Sequence, residues 1–308
     1  MTKSTFTPFR IAQSDVELQA YRGGAAGGPL LVAVHGIQDQ ATALDRCLSP
    51  LLERFDVVSF DLRGHGDSGQ PGTYTLLHYL ADLDAVLDTV AGERQAVLLG
   101  HSLGGQIVSQ YAALEPKRAS AVISIEGLGP PGPPFSKEHQ LRRARQALRT
   151  LRKPPHRRPA GSLEEAVAHF RKTHPRLAAA EAERLTQRGT VESEGILYWK
   201  WDPRVLSSLM TVDRSTVERR WGWISSPLLL VTAELAGEFW QVRREIAGAT
   251  QDDEELARRI ALFRGTTPRH VEIRGAGHMT HYDRPDELGA TVAHFLDDSL
   301  PAGSGGTR

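Results

Sequence analysis

Short runs of apolar residues alternate along the chain with longer segments in which apolar residues recur every three or four positions. The short runs predict seven β-strands, near residues 15–22, 29–35, 56–61, 95–101, 119–126, 227–233 and 270–275. Helical patterns fall between most of these strands. Because strands that alternate with helices usually form parallel sheets covered on both faces, we expect an α/β fold with a doubly wound, mainly parallel sheet.

One connection in this pattern is far longer than a crossover helix requires. About a hundred residues separate Glu126, at the end of one predicted strand, from Leu228 at the start of the next. We therefore predict a helical cap at residues 130–225, inserted into a core that consists of residues 1–129 and 226–300. A chain of 308 residues suits one α/β core with such an insertion.

The composition of the insertion supports this division. Residues 129–134 are all glycine or proline and predict a rigid hinge, after which residues 137–153 show a basic helical pattern. Ser162 and Glu165 have the spacing of a capping box, which predicts the start of a second helix. At the end of the chain, residues 301–308 are mostly small and polar, so we expect a disordered tail.

Charge is balanced over the whole chain but segregated within it. The formal net charge is zero and the pI is about 7.2, which argues against nucleic acid or a membrane surface as a partner of the chain as a whole. Residues 130–225 nevertheless carry 19 Lys and Arg against 10 Asp and Glu. This excess indicates either a solvated arginine-rich helix face or a cap that attracts an anionic substrate, such as a carboxylate, a coenzyme A thioester or an acyl chain on an acidic carrier protein.

Other features of the sequence bear on the location of the protein, on disulfide bonds and on bound metals or cofactors. No run approaches the roughly 18 apolar residues that a membrane span requires, and the amino terminus has no apolar signal segment, so we expect a cytoplasmic protein without a membrane partner. The single cysteine, Cys47, excludes an internal disulfide and lies in a helical pattern, where we expect it to be a core residue. The twelve histidines show no compact ligand spacing, so the sequence predicts neither a bound metal nor a cofactor.

The first candidate catalytic residue lies where the predicted strand near 95–101 meets a helical pattern. Ser102 stands at this junction, between Gly100 and Gly104. A sharp turn from strand to helix exposes a serine hydroxyl to a base and to backbone amides, which a weak nucleophile requires. Glycine on either side permits close packing of strand and helix, and we expect strained backbone geometry at Ser102. The alternative is a glycine-rich turn with an incidental serine.

Three further segments occur in the order typical of α/β-hydrolases. The run 30–37 contains a strand that ends in His-Gly, the run 57–68 ends in Asp-Leu-Arg-Gly-His-Gly-Asp-Ser, and the run 270–278 ends in Gly-Ala-Gly-His. Through these segments the chain resembles the α/β-hydrolase superfamily. Residues 125–130 and 198–204 further resemble the serine-hydrolase-like branch of that superfamily.

The resemblance implies roles for individual residues. Ser102 corresponds to the nucleophile and His278 to the general base, while His281 is a less favourable competitor for the second role. The backbone amides of Ile37 and Leu103 are candidates for an oxyanion hole, which would stabilise the charge that develops on a carbonyl oxygen.

Other polar residues of these segments are expected to be architectural. In the superfamily the loop that contains Asp61, Arg63, Asp67 and Ser68 mainly organises neighbouring loops, so we assign these residues no catalytic role. His35 is expected to shape the loop after its strand rather than to titrate in catalysis.

The acid that would orient His278 departs from the commonest pattern of the superfamily. The usual aspartate would follow the first strand after the insertion, where this chain has Ala236. An acid is still needed to hold the imidazole in the right tautomer and to stabilise its charged form. Glu126 ends an earlier strand at the same edge of the sheet and is the predicted acid, with Glu234 and Glu238 as alternatives. A serine–histidine dyad or an inactive enzyme is a further interpretation.

These assignments predict a serine hydrolase that cleaves an ester or thioester, or an activated carbon–carbon bond, of a small acyl substrate. The alternatives are a cofactor-independent lyase or cyclase on the same fold and a non-catalytic homologue that binds a ligand.

In the cap, Trp199 and Trp201 are candidates for an apolar substrate pocket, together with Trp221 and Trp223. Packing of the cap onto the core explains the same aromatic residues.

Overall fold

The structure is a computed structural model, which describes residues 6–132, 136–207, 212–242 and 253–300. The tail predicted at residues 301–308 lies outside the described residues. Part of the glycine- and proline-rich hinge, residues 133–134, also lies outside them.

Within the described residues, eight strands form a central sheet and three form a smaller one. In chain order the strands are β1 (Thr7–Gln13), β2 (Val16–Gly24), β3 (Leu30–Val34), β4 (Asp56–Phe60), β5 (Ala96–His101), β6 (Ala119–Ile125), β7 (Pro159–Gly161), β8 (Thr190–Ser193), β9 (Ile196–Trp199), β10 (Leu228–Ala233) and β11 (Arg269–Ile273). The central sheet has the order β1-β2-β4-β3-β5-β6-β10-β11, and the smaller sheet has the order β7-β9-β8. From β4 to β11 all neighbours in the central sheet are parallel, whereas β2 runs antiparallel to both β1 and β4.

Helices connect these strands and cover the central sheet. They are α1 (Asp45–Leu48), α2 (Leu76–Ala91), α3 (Leu103–Leu114), α4 (Lys137–Arg152), α5 (Leu163–Thr173), α6 (Ala179–Gly189), α7 (Arg214–Trp221), α8 (Ala236–Val242), α9 (Asp253–Ile260), α10 (Thr280–Asp283) and α11 (Pro285–Ser299). Short 3₁₀ turns lie at Ala41–Leu44, Ser49–Leu51, Pro116–Arg118 and Pro203–Val205. No helix within the described ranges is long and apolar enough to cross a bilayer.

Both faces of the central sheet are buried, which explains why its parallel strands appear in the sequence as uninterrupted apolar runs. All residues of β3 and β4 are buried. Successive side chains of β3 point to opposite faces, so Val32 and Val34 join a cluster with α2, α3 and α7, whereas Leu31 and Ala33 join a second cluster with α1 and α11. The predicted doubly wound α/β fold is confirmed.

The sequence did not predict β1, the edge strand of the central sheet. Of its seven residues only Ile11 is fully buried, so the alternation of apolar and polar positions is weak. In the structure β1 is held by its antiparallel pairing with β2, in which Ile11 lies opposite Leu18. Backbone pairing rather than side-chain pattern therefore defines this strand.

The insertion is not wholly helical, contrary to the prediction for residues 130–225. Its described part contains α4, α5 and α6 together with the smaller antiparallel sheet. Each strand of that sheet has only three or four residues, which is too short for alternation to be read from the sequence. The predicted helix start is confirmed, because Ser162 and Glu165 form a complete capping box at the beginning of α5.

The second boundary of the insertion also differs from the predicted one at residue 225. Helix α7 packs against α3 on one face of the central sheet, and Val217 and Trp221 belong to the core cluster on that face. Gln110 of α3 donates a hydrogen bond to the carbonyl of Val217 (3.1 Å). The core layer therefore resumes at Arg214, because α7 buries its apolar residues against the sheet layer.

A buried ion pair ties the loop after β4 to helix α2. The Arg63 side chain is fully buried, and its guanidinium donates to both carboxylate oxygens of Asp82 at 2.7 and 2.6 Å. Asp15 accepts from the same guanidinium at 3.2 Å from a half-exposed position. A buried charge is costly unless it is paired, so this loop depends on the Asp82 carboxylate.

We expect Asp82→Ala to lower the free energy of unfolding by about 3 kcal/mol, because it leaves the buried guanidinium with only the partly exposed Asp15. The matched control is Asp88→Ala in the same helix, where the carboxylate is 68% exposed and pairs with Arg118. That substitution should cost less than about 1 kcal/mol. Urea unfolding measures both effects. Equal losses of unfolding free energy in the two variants would show that the buried pair stabilises the protein no more than the exposed pair.

Candidate active site

The turn from β5 into α3 holds Ser102 in a backbone conformation that few residues other than glycine adopt. Its φ is +52° and its ψ is −112°. A Cβ on Gly100 would lie 2.2 Å from the carbonyl oxygen of Gly104, and a Cβ on Gly104 would lie 2.1 Å from the carbonyl oxygen of Val34 in β3. Helix and strands are therefore packed backbone to backbone at this turn, and the strain expected at Ser102 is observed.

Three of the predicted site residues lie in one hydrogen-bonded line. The Oγ of Ser102 is 2.9 Å from Nε2 of His278, and Nδ1 of His278 is 2.9 Å from Oε2 of Glu126. Ser102 follows β5, Glu126 follows β6 and His278 lies in the loop after β11. An ionised carboxylate only accepts hydrogen bonds, so Nδ1 is the donor to Glu126 and Nε2 presents its lone pair to the hydroxyl of Ser102.

Glu126 is fixed through both its backbone and its carboxylate. Its φ is +51°, and its amide donates to the carbonyl of Val231 in β10 (2.8 Å). The amide of Ala233, at the end of the same strand, donates to Oε1 (2.8 Å). Glu126 is only 7% exposed, and burial of a carboxylate is tolerated here because both oxygens have partners.

The alternative acids have other partners. Glu234 is exposed, and its Oε2 accepts a hydrogen bond from the amide of Gly275, which stabilises the turn after β11. Glu238 forms an ion pair with Arg176 (2.7 Å). Among the described residues, the carboxylate that contacts the imidazole beside Ser102 is that of Glu126.

His278 is held by its carbonyl group as well as by its ring. His101 donates from Nε2 to the carbonyl oxygen of His278 (2.8 Å), and burial lowers the pKa of His101 well below its ordinary value, so it is a neutral donor. The ring of Phe239 stacks on the imidazole of His278 with centroids 4.0 Å apart, and Trp240 contacts the same imidazole edge to face at 5.3 Å. The sequence did not identify Phe239 and Trp240, because they lie in α8 outside any recognisable motif.

The two amides predicted to form an oxyanion hole come from the turn after β3 and from the first residue of α3. Neither the amide of Ile37 nor that of Leu103 has an acceptor among the described residues. For Leu103 this is usual, because the first amides of a helix have no partner within it. Gln38, next to Ile37, has a φ of +62°. A Cβ on Gly36 would lie 3.3 Å from the Cβ of Ser102, so the loop after β3 passes directly beside the serine.

Asp39, His281 and Tyr282 form a second buried polar cluster that the sequence did not predict. The carboxylate of Asp39 accepts from Nε2 of His281 (3.0 Å) and from the hydroxyl of Tyr282 (2.8 Å). Burial by itself raises the pKa of Asp39, but the hydrogen bond and charge interaction with His281, together with smaller contributions from His35 and Tyr282, hold the pKa below its ordinary value. His281, the alternative base, is therefore engaged with Asp39 rather than with Ser102.

Two members of this cluster, together with His101, form the set of side chains best spaced to hold a metal within the described residues. Asp39, His101 and His281 each offer one ligand atom, and these atoms lie within 4.8 Å of one another. Their separation along the chain hides this arrangement in the sequence. Since Asp39 is bonded to His281, and His101 to the His278 carbonyl, we assign them a structural role that links α10, β5 and the loop after β3.

A small cavity of about 20 Å³ lies between the insertion and the loop after β3. Its aromatic lining comes from Phe170, Trp199, Trp201 and Tyr282, and Lys200 adds a cationic side chain. The predicted pocket residues Trp199 and Trp201 thus line one cavity. A space of this size is about that of one water molecule.

The other two tryptophans proposed for the pocket lie elsewhere. Trp221 is buried beside the central sheet and stacks on Phe263 with ring centroids 5.0 Å apart. Trp223 is 53% exposed. Their prediction as pocket residues is wrong, because α7 and the turn that follows belong to the core layer rather than to the cap.

The loop after β4 has the architectural role expected from the sequence. The carboxylate of Asp61 accepts a hydrogen bond from the amide of Asp67 (2.9 Å), and Oγ of Ser68 donates to the carbonyl of Asp61 (2.6 Å). The amide of Leu62 donates to Nε2 of His35 (2.9 Å). The last of these bonds joins the loops after β3 and β4. Cys47 is buried in α1 as expected.

Comparison with known proteins shows which family the chain resembles. The family model described as the alpha/beta hydrolase fold matches residues 29–178. Human serine hydrolase-like protein 2 is 24% identical over 301 residues, which cover 91% of each chain. An uncharacterised protein of Mycobacterium tuberculosis is 34% identical over 109 residues, which cover 34% of this chain and 31% of that protein. The chain thus matches about a third of the length of that relative.

The fold agrees with this family. The thioesterase domain from the curacin biosynthetic pathway superposes with a TM-score of 0.79 at 23% identity, covering 94% of this chain and 99% of that domain. A mainly parallel sheet with a serine in a strained strand-to-helix turn defines the class of α/β-hydrolase-fold proteins. The chain has the α/β-hydrolase fold.

We expect Gly104→Ala to lower the free energy of unfolding by about 3 kcal/mol, because the added Cβ would lie 2.1 Å from the carbonyl oxygen of Val34 and two backbones would have to separate. Gly222→Ala is the control, since its φ is −67° and an added Cβ would lie 3.3 Å from its nearest neighbour, the carbonyl oxygen of Leu262. Thermal unfolding compares the two variants. A Gly104→Ala protein as stable as the control would contradict the backbone contact.

Proposed function

We propose that the protein is a serine hydrolase that cleaves an ester or thioester of a small acyl substrate through an acyl-enzyme. The observation that carries this proposal is the line from Ser102 Oγ through the imidazole of His278 to the carboxylate of Glu126, with both distances 2.9 Å. Serine hydroxyls need a base within such reach to act as nucleophiles. The sequence separations of 176 and 152 residues make an incidental local contact a poor explanation.

The reaction begins with proton transfer from Ser102 to Nε2 of His278 as Oγ attacks the substrate carbonyl carbon. The carbonyl oxygen becomes an oxyanion, which the amides of Ile37 and Leu103 stabilise by hydrogen bonds. The imidazolium of His278 then gives its proton to the leaving alcohol or thiol, and the C–O or C–S bond breaks. Water activated by the same imidazole hydrolyses the acyl-enzyme and returns the proton to Ser102.

Glu126 orients the base during both steps. Its Oε2 holds the proton of Nδ1, which keeps the lone pair of Nε2 directed at Ser102 and stabilises the imidazolium while it is charged. The Ala233 amide fixes the other carboxylate oxygen. Phe239 stacks on the imidazole of His278 and limits rotation of the imidazole about its Cβ–Cγ bond.

The substrate class follows from the insertion. Aromatic side chains, among them Trp199 and Trp201, line its contact with the core and suit an acyl group. The excess of Lys and Arg in residues 130–225 favours a substrate that is itself anionic or is attached to an acidic carrier. The likeness to a thioesterase domain supports thioesters as one type of substrate within this class.

We expect a fluorophosphonate probe to add one group per chain to the wild type and none to Ser102→Ala, because the probe reacts with an activated serine. Labelling should slow by at least about a hundredfold in His278→Ala and in Glu126→Gln, which lose the base and its orientation. Intact-mass spectrometry over time measures all three rates. Circular dichroism verifies that each variant is folded.

Glu234→Gln is the matched control for the acid, because Glu234 lies only two residues from the usual position of the triad acid yet accepts a hydrogen bond from the amide of Gly275. Its labelling rate should equal that of the wild type. A folded wild type without labelling would contradict the serine hydrolase and favour a ligand-binding homologue. Labelling combined with full turnover by Ser102→Ala would favour a lyase or cyclase.

A further inference from the structure

Helix α4 directs its apolar residues into solvent. Leu141, Ala144, Leu148 and Leu151 recur at spacings of three, four and three residues, so they form one stripe along the helix. The three leucines are 43%, 58% and 59% exposed. Surface helices of globular proteins normally turn such a stripe toward the core. In α4 the buried residue is Ala147, which lies beside Ala144 and Leu151 at one edge of the stripe.

A basic stripe runs beside the apolar one. Arg142, Arg145, Arg149 and Arg152 have the same spacing, shifted by one residue, and therefore lie about 100° further round the helix. All four are exposed. Over its whole length α4 carries six Lys and Arg against one Glu. We call the two stripes together the α4 face.

Two arginines of the α4 face bond to other side chains of the same helix. Arg149 donates to the side-chain oxygen of Gln146, and Arg142 contacts Nδ1 of His139. Both partners belong to α4 and neither is a carboxylate. The formal net charge of zero, which disfavours a membrane surface for the chain as a whole, therefore does not describe this helix.

We propose that the α4 face binds the surface of an anionic lipid bilayer, with the helix axis parallel to the membrane. Leu141, Leu148 and Leu151 enter the boundary between headgroups and acyl chains, while the neighbouring arginines contact the lipid phosphates. The flexible stem of an arginine lets its guanidinium stay at the level of the headgroups while its methylenes cover apolar surface. The proposal does not rest on the hydrolase activity, because α4 lies outside the line of Ser102, His278 and Glu126.

Charge complementarity decides against a second copy of the chain as the occupant. A two-fold interface would bring the α4 face against itself and set the arginines of one helix beside those of the other. An anionic bilayer can bind the apolar stripe and the basic stripe at the same time. It supplies phosphates for the guanidinium groups and, unlike a folded partner, needs no matching shape for the leucines.

The test is co-sedimentation of the full-length protein with lipid vesicles. We expect binding to phosphatidylcholine vesicles that contain about 30% phosphatidylglycerol, little binding to phosphatidylcholine alone, and release at about 0.5 M NaCl. The double variants Leu148→Asp with Leu151→Asp, and Arg145→Gln with Arg149→Gln, should each weaken binding by at least about tenfold. Fluorophosphonate labelling and circular dichroism show that the variants are folded.

Two controls lie on other helices. Leu77→Asp changes a leucine in α2 that is 72% exposed, and Arg219→Gln changes an exposed arginine in α7. Both should bind vesicles as the wild type does. Absence of binding to anionic vesicles at low salt would overturn the proposal, as would equal losses in variants and controls.

Two other outcomes would assign the α4 face to a different occupant and so overturn the proposal. Sedimentation velocity that shows a dimer dissociated by Leu148→Asp with Leu151→Asp would identify a second copy of the chain. Binding to polyglutamate without binding to anionic vesicles would identify an acidic protein. Wild-type labelling by the fluorophosphonate probe in either case separates failure of this proposal from failure of the proposed hydrolase.

Discussion

The site depends on a contact between backbones that have no side chains between them. At the end of β5, Gly100 and Gly104 let α3 pack against the strand it leaves and against the carbonyl of Val34 in the neighbouring strand. This contact holds Ser102 at a φ of +52°, a conformation that costs free energy and persists only where the surroundings determine it. The buried sheet provides those surroundings, since β3 and β5 are inaccessible along their whole length.

The same sheet explains how Glu126, the proposed acid, reaches His278 from a strand other than the usual one. Strands β6 and β10 are neighbours and parallel, so their carboxyl ends lie about 5 Å apart at one edge. Glu126 leaves β6 with a φ of +51°, and its carboxylate reaches the end of β10, where the Ala233 amide holds it. The extra methylene of glutamate, compared with aspartate, contributes to this reach. His278 therefore finds a carboxylate although Ala236 stands where the usual aspartate would be.

Sequence patterns revealed the features that repeat locally, and missed those created by contacts between distant segments. The buried strands and the Ser102 turn were predictable, because apolar runs and flanking glycines are visible over a few residues. The bond between Asp39 and His281 was not, since 242 residues separate the partners. Phe239 and Trp240 are ordinary aromatic residues in the sequence, and only the position of α8 places them on the imidazole of His278.

The central claim is that Ser102 carries the acyl group during turnover. Acid quenching of the protein during hydrolysis of p-nitrophenyl acetate, followed by peptic digestion and mass spectrometry, locates that group directly. The account predicts one acetyl group per chain at saturation, on the peptide that contains Ser102. Steady hydrolysis with no acetyl group on that peptide, or with the group on another residue, would contradict it.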